Sequence, residues 1–214
     1  VKEAMMRVAR VVAATAISMM MVAGCANMRH PPAKALIARP GILSHGETLQ
    51  YLGVDFSRAA FFDTNFQYAD VAKSKVPSWS QYALSDPSLK FPMPVTAELA
   101  VSQKMNAKIP ENAFKVMAPD PAKWALNDSV IREEIAPYVG KKNSGHGLLI
   151  VAEQVSKPVG VAAHYVVFDR KTGEIILLDQ TVGEAGGFGI HEYYLSALKQ
   201  IAAKAQKEIT AITQ

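Results

Sequence analysis

Residues 146–209 read HGLLIVAEQVSKPVGVAAHYVVFDRKTGEIILLDQTVGEAGGFG, then IHEYYLSALKQIAAKAQKEI, and this stretch decides the fold. Three apolar, β-branched runs of strand length, 148–155, 161–168 and 174–182, stand between turn signals. Asp169-Arg170-Lys171-Thr172-Gly173 separates the last two and reads as a hairpin connection, short and polar with a glycine near its end. The middle run is apolar on both alternations: Val161, Ala163, Tyr165 and Val167 on one side, Ala162, Val166 and Phe168 on the other. A strand of that kind is covered on both faces and belongs in the centre of a sheet. After the glycine-rich turn, Ile190, Tyr194, Ala197, Leu198, Ile201, Ala205, Ile209 and Ile212 recur at three- and four-residue steps. Lys199, Lys204, Gln206, Lys207 and Glu208 fall mainly on the other side, so a long amphipathic helix is predicted to lie with one face on the sheet.

Upstream the pattern is less regular. Residues 49–56 predict a first strand. Asp63, Thr64 and Asn65 are N-cap types before a helical stretch near 66–75, and Pro77 opens a further helical turn carrying Trp79, Tyr82 and Leu84, closed by Asp86-Pro87. Residues 95–105 alternate unevenly and read as another strand. Pro110, Pro119 and Pro121 keep 106–127 from forming long elements. Asp128-Ser129 read as the cap of a helix over 130–138, with Val130, Ile131 and Ile135 on its packed face. The order β, α, β, α, β, β, β, α predicts an α/β (α+β sandwich) domain over 48–214: one mixed sheet of about five strands with helices packed on it.

Ahead of this domain, Lys2, Arg7 and Arg10 precede an uncharged, mostly apolar run over 11–22, and residues 1–24 read as an export signal. The run is short for a membrane-spanning helix, which needs about 20 residues. Val22-Ala23-Gly24-Cys25 resembles the lipobox of bacterial lipoproteins. That resemblance implies cleavage before Cys25, a diacylglyceryl thioether on its sulfur and acylation of the new amino terminus. Ala26, rather than Asp, implies outer-membrane sorting under the enteric rule. Several acyl chains, at about 0.8 kcal/mol per buried methylene, make a stable anchor. Residues 25–47 then read as a lipidated terminus and tether, broken by Pro31-Pro32, Pro40-Gly41 and Ser44-His45-Gly46. Leu36, Ile37, Ile42 and Leu43 are the tether residues able to dock on the domain.

Composition narrows the function classes. The chain of 214 residues carries +4, and the signal region holds about half of that excess. So small a charge, without a dense Lys/Arg run, excludes a nucleic-acid footprint. Cys25 is the single cysteine, which excludes an internal disulfide and a cysteine-rich zinc site.

Candidate chemistry is sparse. Gly186, Gly187 and Gly189, between strand and helix, stand where an anion-binding turn sits. Yet neither a Gly-Lys-Ser/Thr loop nor the dinucleotide spacing is present, and Glu184 would repel an anion, so a structural turn is the plainer reading. His146, His164 and His191, with Asp169 or Glu192, lack metal-binding helix spacing, and no metal is expected. His164 shares its strand face with Ala162 and Val166 and reads as a hydrogen-bonded core residue. No Gly-x-Ser-x-Gly elbow occurs, and Glu133, Glu134 and Glu192 read as solvated helix acids. Trp79, Trp124, Tyr193 and Tyr194 fit either an interaction surface or core packing, with Trp79 and Tyr194 on the core side.

Tyr51 through Ser57, Gly147 through Val151 and Gly183 through Tyr194, above all Gly187-Phe188-Gly189, resemble a group of uncharacterised bacterial lipoproteins. More distantly, the element order is similar to the α/β domains of curli-secretion lipoproteins, penicillin-binding-protein activator lipoproteins and the amino-terminal domain of the Tol translocation protein. The resemblance implies a periplasmic module that binds an envelope protein partner, with the covalent lipid on Cys25 and no other cofactor. The expectation is therefore a lipid-anchored, non-catalytic lipoprotein on the periplasmic side of the outer membrane. The alternative is a hydrolase of envelope polymers.

Overall fold

The computed structural model describes residues 37–62, 70–114 and 126–214. The signal region, Val22 through Cys25, the caps at 63–65 and Trp124 lie outside these residues. Among the described residues the strands and α-helices are β1 (Ile37–Ala38), β2 (Leu49–Asp55), β3 (Ala60–Phe62), α1 (Val76–Tyr82), β4 (Val95–Ala97), α2 (Ala100–Asn106), α3 (Asp128–Ile135), β5 (His146–Ser156), β6 (Gly160–Asp169), β7 (Ile175–Gly183) and α4 (Gly189–Ile212). They form a mixed sheet in the order β1-β7-β6-β5-β2-β4, with β3 pairing the far end of β5. None of the described helices is long and apolar enough to cross a membrane.

The expected meander is the centre of the sheet. β5, β6 and β7 are antiparallel neighbours, and β6 lies between the other two. Their hairpin turns where expected: Asp169 Oδ1 accepts the N–H groups of Lys171 and Thr172, and Gly173 takes the left-handed φ of 76° that closes the loop. β2 runs parallel to both β5 and β4, so the sheet is mixed.

Two cores lie on the two faces. On the first, Val161, Ala163, Tyr165 and Val167 pack with Leu198, Ile201, Ala205 and Ile209 of α4 and with Trp79 of α1. Leu198 and Ile201 are fully buried, each contributing about 1.5–3 kcal/mol. On the second face, Leu149, Val151, Val166 and Phe168 pack with Ile131 and Ile135 of α3 and with Tyr138. The alternation read along β6 is the alternation found. Trp79 and Tyr194 are core residues whose rings meet edge to face at 5.4 Å.

Several upstream expectations change. Among the described residues the sheet has seven strands rather than about five; the two additional ones, β1 and β3, are only two and three residues long and leave no period to detect. The strand expected over 95–105 stops at Ala97 and becomes α2, whose Ala100, Gln103, Lys104 and Met105 are good helix formers. The described part of the helix near 66–75 is a wide π turn, Val71–Lys75, running into α1 with Pro77 in its first turn. The cap of α3 is Asn127, whose side chain accepts from Val130 N at 3.1 Å, one position before the expected Asp128.

The expected tether also ends earlier. Ile37 and Ala38 pair with Leu178 and Leu177 as an edge strand. Leu43 is 1% exposed in the first core. Gly41 N donates to Ile212 O, and Gln214 N donates to Leu43 O, so this segment is stitched to the end of α4. The domain therefore begins by residue 37 rather than 48, because apolar linker residues gain burial by docking.

β4 covers only Leu49 to Tyr51 of β2. Beyond it, side chains complete the ladder. Val54 N donates to Ser80 Oγ, Phe56 N donates to Asn106 Oδ1, and Asn106 Nδ2 donates to Val54 O at 2.8 Å. α1 and α2 thus end the sheet with an amide and a hydroxyl in place of another strand.

Candidate functional site

Among the described residues, three places are the candidates for a site. The first is a groove of about 560 Å³ beside β4. Tyr51 sits at its base, tied by its hydroxyl to Ser80 O at 2.9 Å. Gln81, Leu84 and Ser85, at and beyond the end of α1, make one wall, and Leu89, Lys90, Phe91 and Met93 make another. Gln206 of α4 donates to Lys90 O and holds that second wall in place. Val95 and Ala97 form the rim. Pro94 O and Glu98 N bond to β2, so by the alternation of a parallel ladder Val95 and Ala97 direct their N–H and C=O groups away from the sheet. A groove of mixed polar and apolar lining, beside the strand that is the sheet edge among the described residues, accepts an extended peptide, with backbone pairing along the rim and side chains in the trough.

The second place is a polar network at the carboxyl end of β2. Tyr138 Oη donates to Asp55 Oδ2 at 2.9 Å, and Ser57 N donates to Asp55 Oδ1. Ser57 Oγ donates to Glu134 Oε2, and Arg58 Nε donates to Glu134 Oε1 at 2.7 Å. Asp55 is 1% exposed and Glu134 3%, so Glu134 is not the solvated helix acid expected from sequence. Its burial is made tolerable by Arg58 and Ser57, which are remote in sequence. Burial pushes the Asp55 carboxyl above the usual range despite the bonds from Ser57 and Tyr138, and the nearby Glu134 adds to the rise. Burial likewise raises the Tyr138 hydroxyl, reinforced by Asp55.

The third lies further across the same face. His164 Nε2 donates to Glu153 Oε2 at 3.1 Å, Gln180 Nε2 donates to the same oxygen at 2.8 Å, and Leu126 N donates to Glu153 Oε1. Asp55, Val151, His164 and Gln180 occupy one row across β2, β5, β6 and β7, so this face carries a polar row beside its apolar half.

The histidines weighed from sequence are dispersed. His164 is the buried partner of Glu153, as its strand face implied. His146 Nδ1 approaches Glu47 at 2.9 Å, although not in hydrogen-bond alignment. It lies five residues along β5 from Val151, the partner of His164, so roughly 17 Å away. His191 stands at the start of α4 beside Glu192. Among the described residues no three His, Cys, Asp or Glu side chains converge as metal ligands.

The glycine-rich turn binds itself. Gly186 N donates to Ser196 Oγ and to Tyr193 O, and Gln200 exchanges bonds with both backbone groups of Glu184. Gly187 and Gly189 are exposed, with Phe188 between them. Tyr193 Oη donates to Lys157 O, fixing the β5–β6 turn beside this one. The groove and the buried pairs were missed by sequence reasoning. Pro92 and Pro94, which break the apolar run 91–95, were the available signal for an irregular wall.

No protein-family model matches the chain, and no curated protein does. Among solved structures it is similar to a variant PelC dodecamer from Paraburkholderia phytofirmans, at TM-score 0.39 and 11% identity, over 82% of this chain and 99% of that one. A second crystal form of the PelC dodecamer from that organism aligns at TM-score 0.32 and 10% identity, over 81% and 97% of the two chains.

Proposed function

We propose that this chain is a lipid-anchored protein of the bacterial cell envelope, held at the periplasmic side of the outer membrane by acyl chains on Cys25, and that it binds an extended segment of an envelope protein partner. The anchor reading rests on Val22-Ala23-Gly24-Cys25 following a basic and then apolar leader. The binding reading is carried by one observation, the groove with Val95 and Ala97 on its rim. The alternative, hydrolysis of envelope polymers, would look to Asp55 and Glu134 as its acids. Both are engaged in structural bonds and nearly unexposed, which favours the binding reading.

A soluble Cys25→Ser form, used as bait on envelope extracts, tests the groove. A partner held by the parent form is expected to be lost with Ala97→Pro, which removes an outward N–H, and with Phe91→Asp, which charges the trough. Capture indifferent to both changes would reject the groove. Polymer hydrolysis abolished by Glu134→Gln would replace the binding reading with the enzymatic one.

A further inference from the structure

Phe188 is 99% exposed, whereas the other phenylalanines among the described residues are buried or packed against a core. Its neighbours Gly187 and Gly189 have φ of 100° and 76°, a backbone that glycine adopts without strain and that holds the ring clear of the domain. Phe188 is also the N-cap of α4 and makes no side-chain cap bond. Ser, Thr, Asn or Asp at that position would accept a helix N–H, so the local sequence gives up a cap to present a ring to the outside.

The position of this ring relative to the chain entry is informative. β1 pairs antiparallel with β7, Ile37 with Leu178 and Ala38 with Leu177. Followed backwards from Ala38 to Ile37, the backbone therefore heads along β7 toward Gly183, the end that carries the 183–189 turn. The β5–β6 turn lies at this end too, because Val161 pairs with Gly183. Its Lys157 and Pro158 are exposed. From Leu178 to Gly183 is roughly 17 Å of strand. Twelve residues connect Cys25 to Ile37, enough to reach at most about 40 Å. On the two turns themselves, Lys157 stands against Glu184 and Glu192, a balance that does not favour anionic headgroups, so the ring is the feature suited to a bilayer.

We infer that Phe188 enters the headgroup–acyl boundary of the membrane that carries the anchor, so that the domain stands on it with the 183–189 turn down. This rests on the reading of Cys25 as acylated. Aromatic rings favour that boundary, and a second, weak contact orients a protein that an acyl anchor already holds nearby.

The test uses the full acylated protein in phosphatidylethanolamine–phosphatidylglycerol vesicles. Acylation leaves a Phe188→Cys variant with one free thiol, which takes an environment-sensitive dye. The expected result is a several-fold rise in emission on vesicle reconstitution and quenching by brominated lipids. The same dye at Lys141→Cys, in the loop at the opposite end of β5, should show neither. Vesicle-floated, acylated protein whose dye at 188 behaves as in water would overturn the inference. A mass spectrum without acyl chains, with Cys25 itself taking the dye, would instead remove the anchor and the inference with it. Phe188→Ser supplies a control against a folding role: it should melt no lower than the parent, because it adds a cap, while losing protection of the turn from protease on vesicles. Protection unchanged in that variant would also count against the ring.

Discussion

The two faces of the sheet are held by different means. The first face is apolar almost throughout: α4 and α1 cover Val161, Ala163 and Tyr165 with Leu198, Ile201 and Trp79. The second is apolar where α3, Tyr138 and Ile37 pack on it, and beside that it carries a row of buried polar groups in which Glu153 serves His164, Gln180 and Leu126 at once. Apolar burial is non-directional, and its contributions spread over many contacts. A buried carboxylate with three donors concentrates its contribution, because removing it strands every donor. The first face is therefore sensitive to charge, and the second to the deletion of single oxygens.

Leu198→Asp should be the most damaging change. It places a carboxylate without a partner in the first core, and we expect no cooperative melt and insoluble expression. A soluble variant with the parent's melting curve would show that α4 does not pack by this face. Glu153→Ala should cost about 3 kcal/mol in denaturant unfolding, well above the roughly 1 kcal/mol of an average substitution, because three donors lose their acceptor. A loss below 1 kcal/mol would mean that the polar row is not what holds the second face.

Asp179 sharpens the contrast, since it is the polar exception on the first face. Burial raises its carboxyl, but bonds from Lys204, from the Gln180 backbone and from Tyr165 outweigh that and leave it below the usual range. A depressed carboxylate contributes stability that is present above the ordinary carboxylate value and is lost as pH falls through the folded value. Asp179→Asn should therefore cost about 1.5 kcal/mol at neutral pH, a figure discounted for the partly exposed Lys204, and the difference should shrink in a melting series as the pH falls below the ordinary carboxylate range. Asn127→Ala removes the cap of α3 and should cost about 1 kcal/mol. If it costs much more, α3 owes more to its end than to Ile131 and Ile135.

What the chain discloses in one dimension follows the same division. Val161 through Phe168 could be assigned to both faces because a ten-residue strand alternates often enough to show its period. The stripe of α4 was legible for the corresponding reason over 24 residues. β3 was not, since Ala60, Phe61 and Phe62 are all buried and show no alternation. α2 was taken for strand because seven residues give barely two turns. Glu134 was misjudged because its burial depends on Arg58 and Ser57, and no local pattern announces a pairing across 76 or 77 positions. The groove was invisible for a similar reason: Tyr51, Leu84 and Phe91 meet only after the sheet and α1 are in place.

The short strand at the start of the domain has a mechanical consequence. Any tension applied from the amino-terminal side is transmitted through Ile37 along the axis of β7 and loads the paired bonds in shear. That ladder is only two residues long and would yield early. Behind it the load falls on Leu43 in the first core and on the Gly41–Ile212 and Leu43–Gln214 stitches. The segment 37–43 thus behaves as a strain relief, sacrificing a few weak links before force arrives at the central strands.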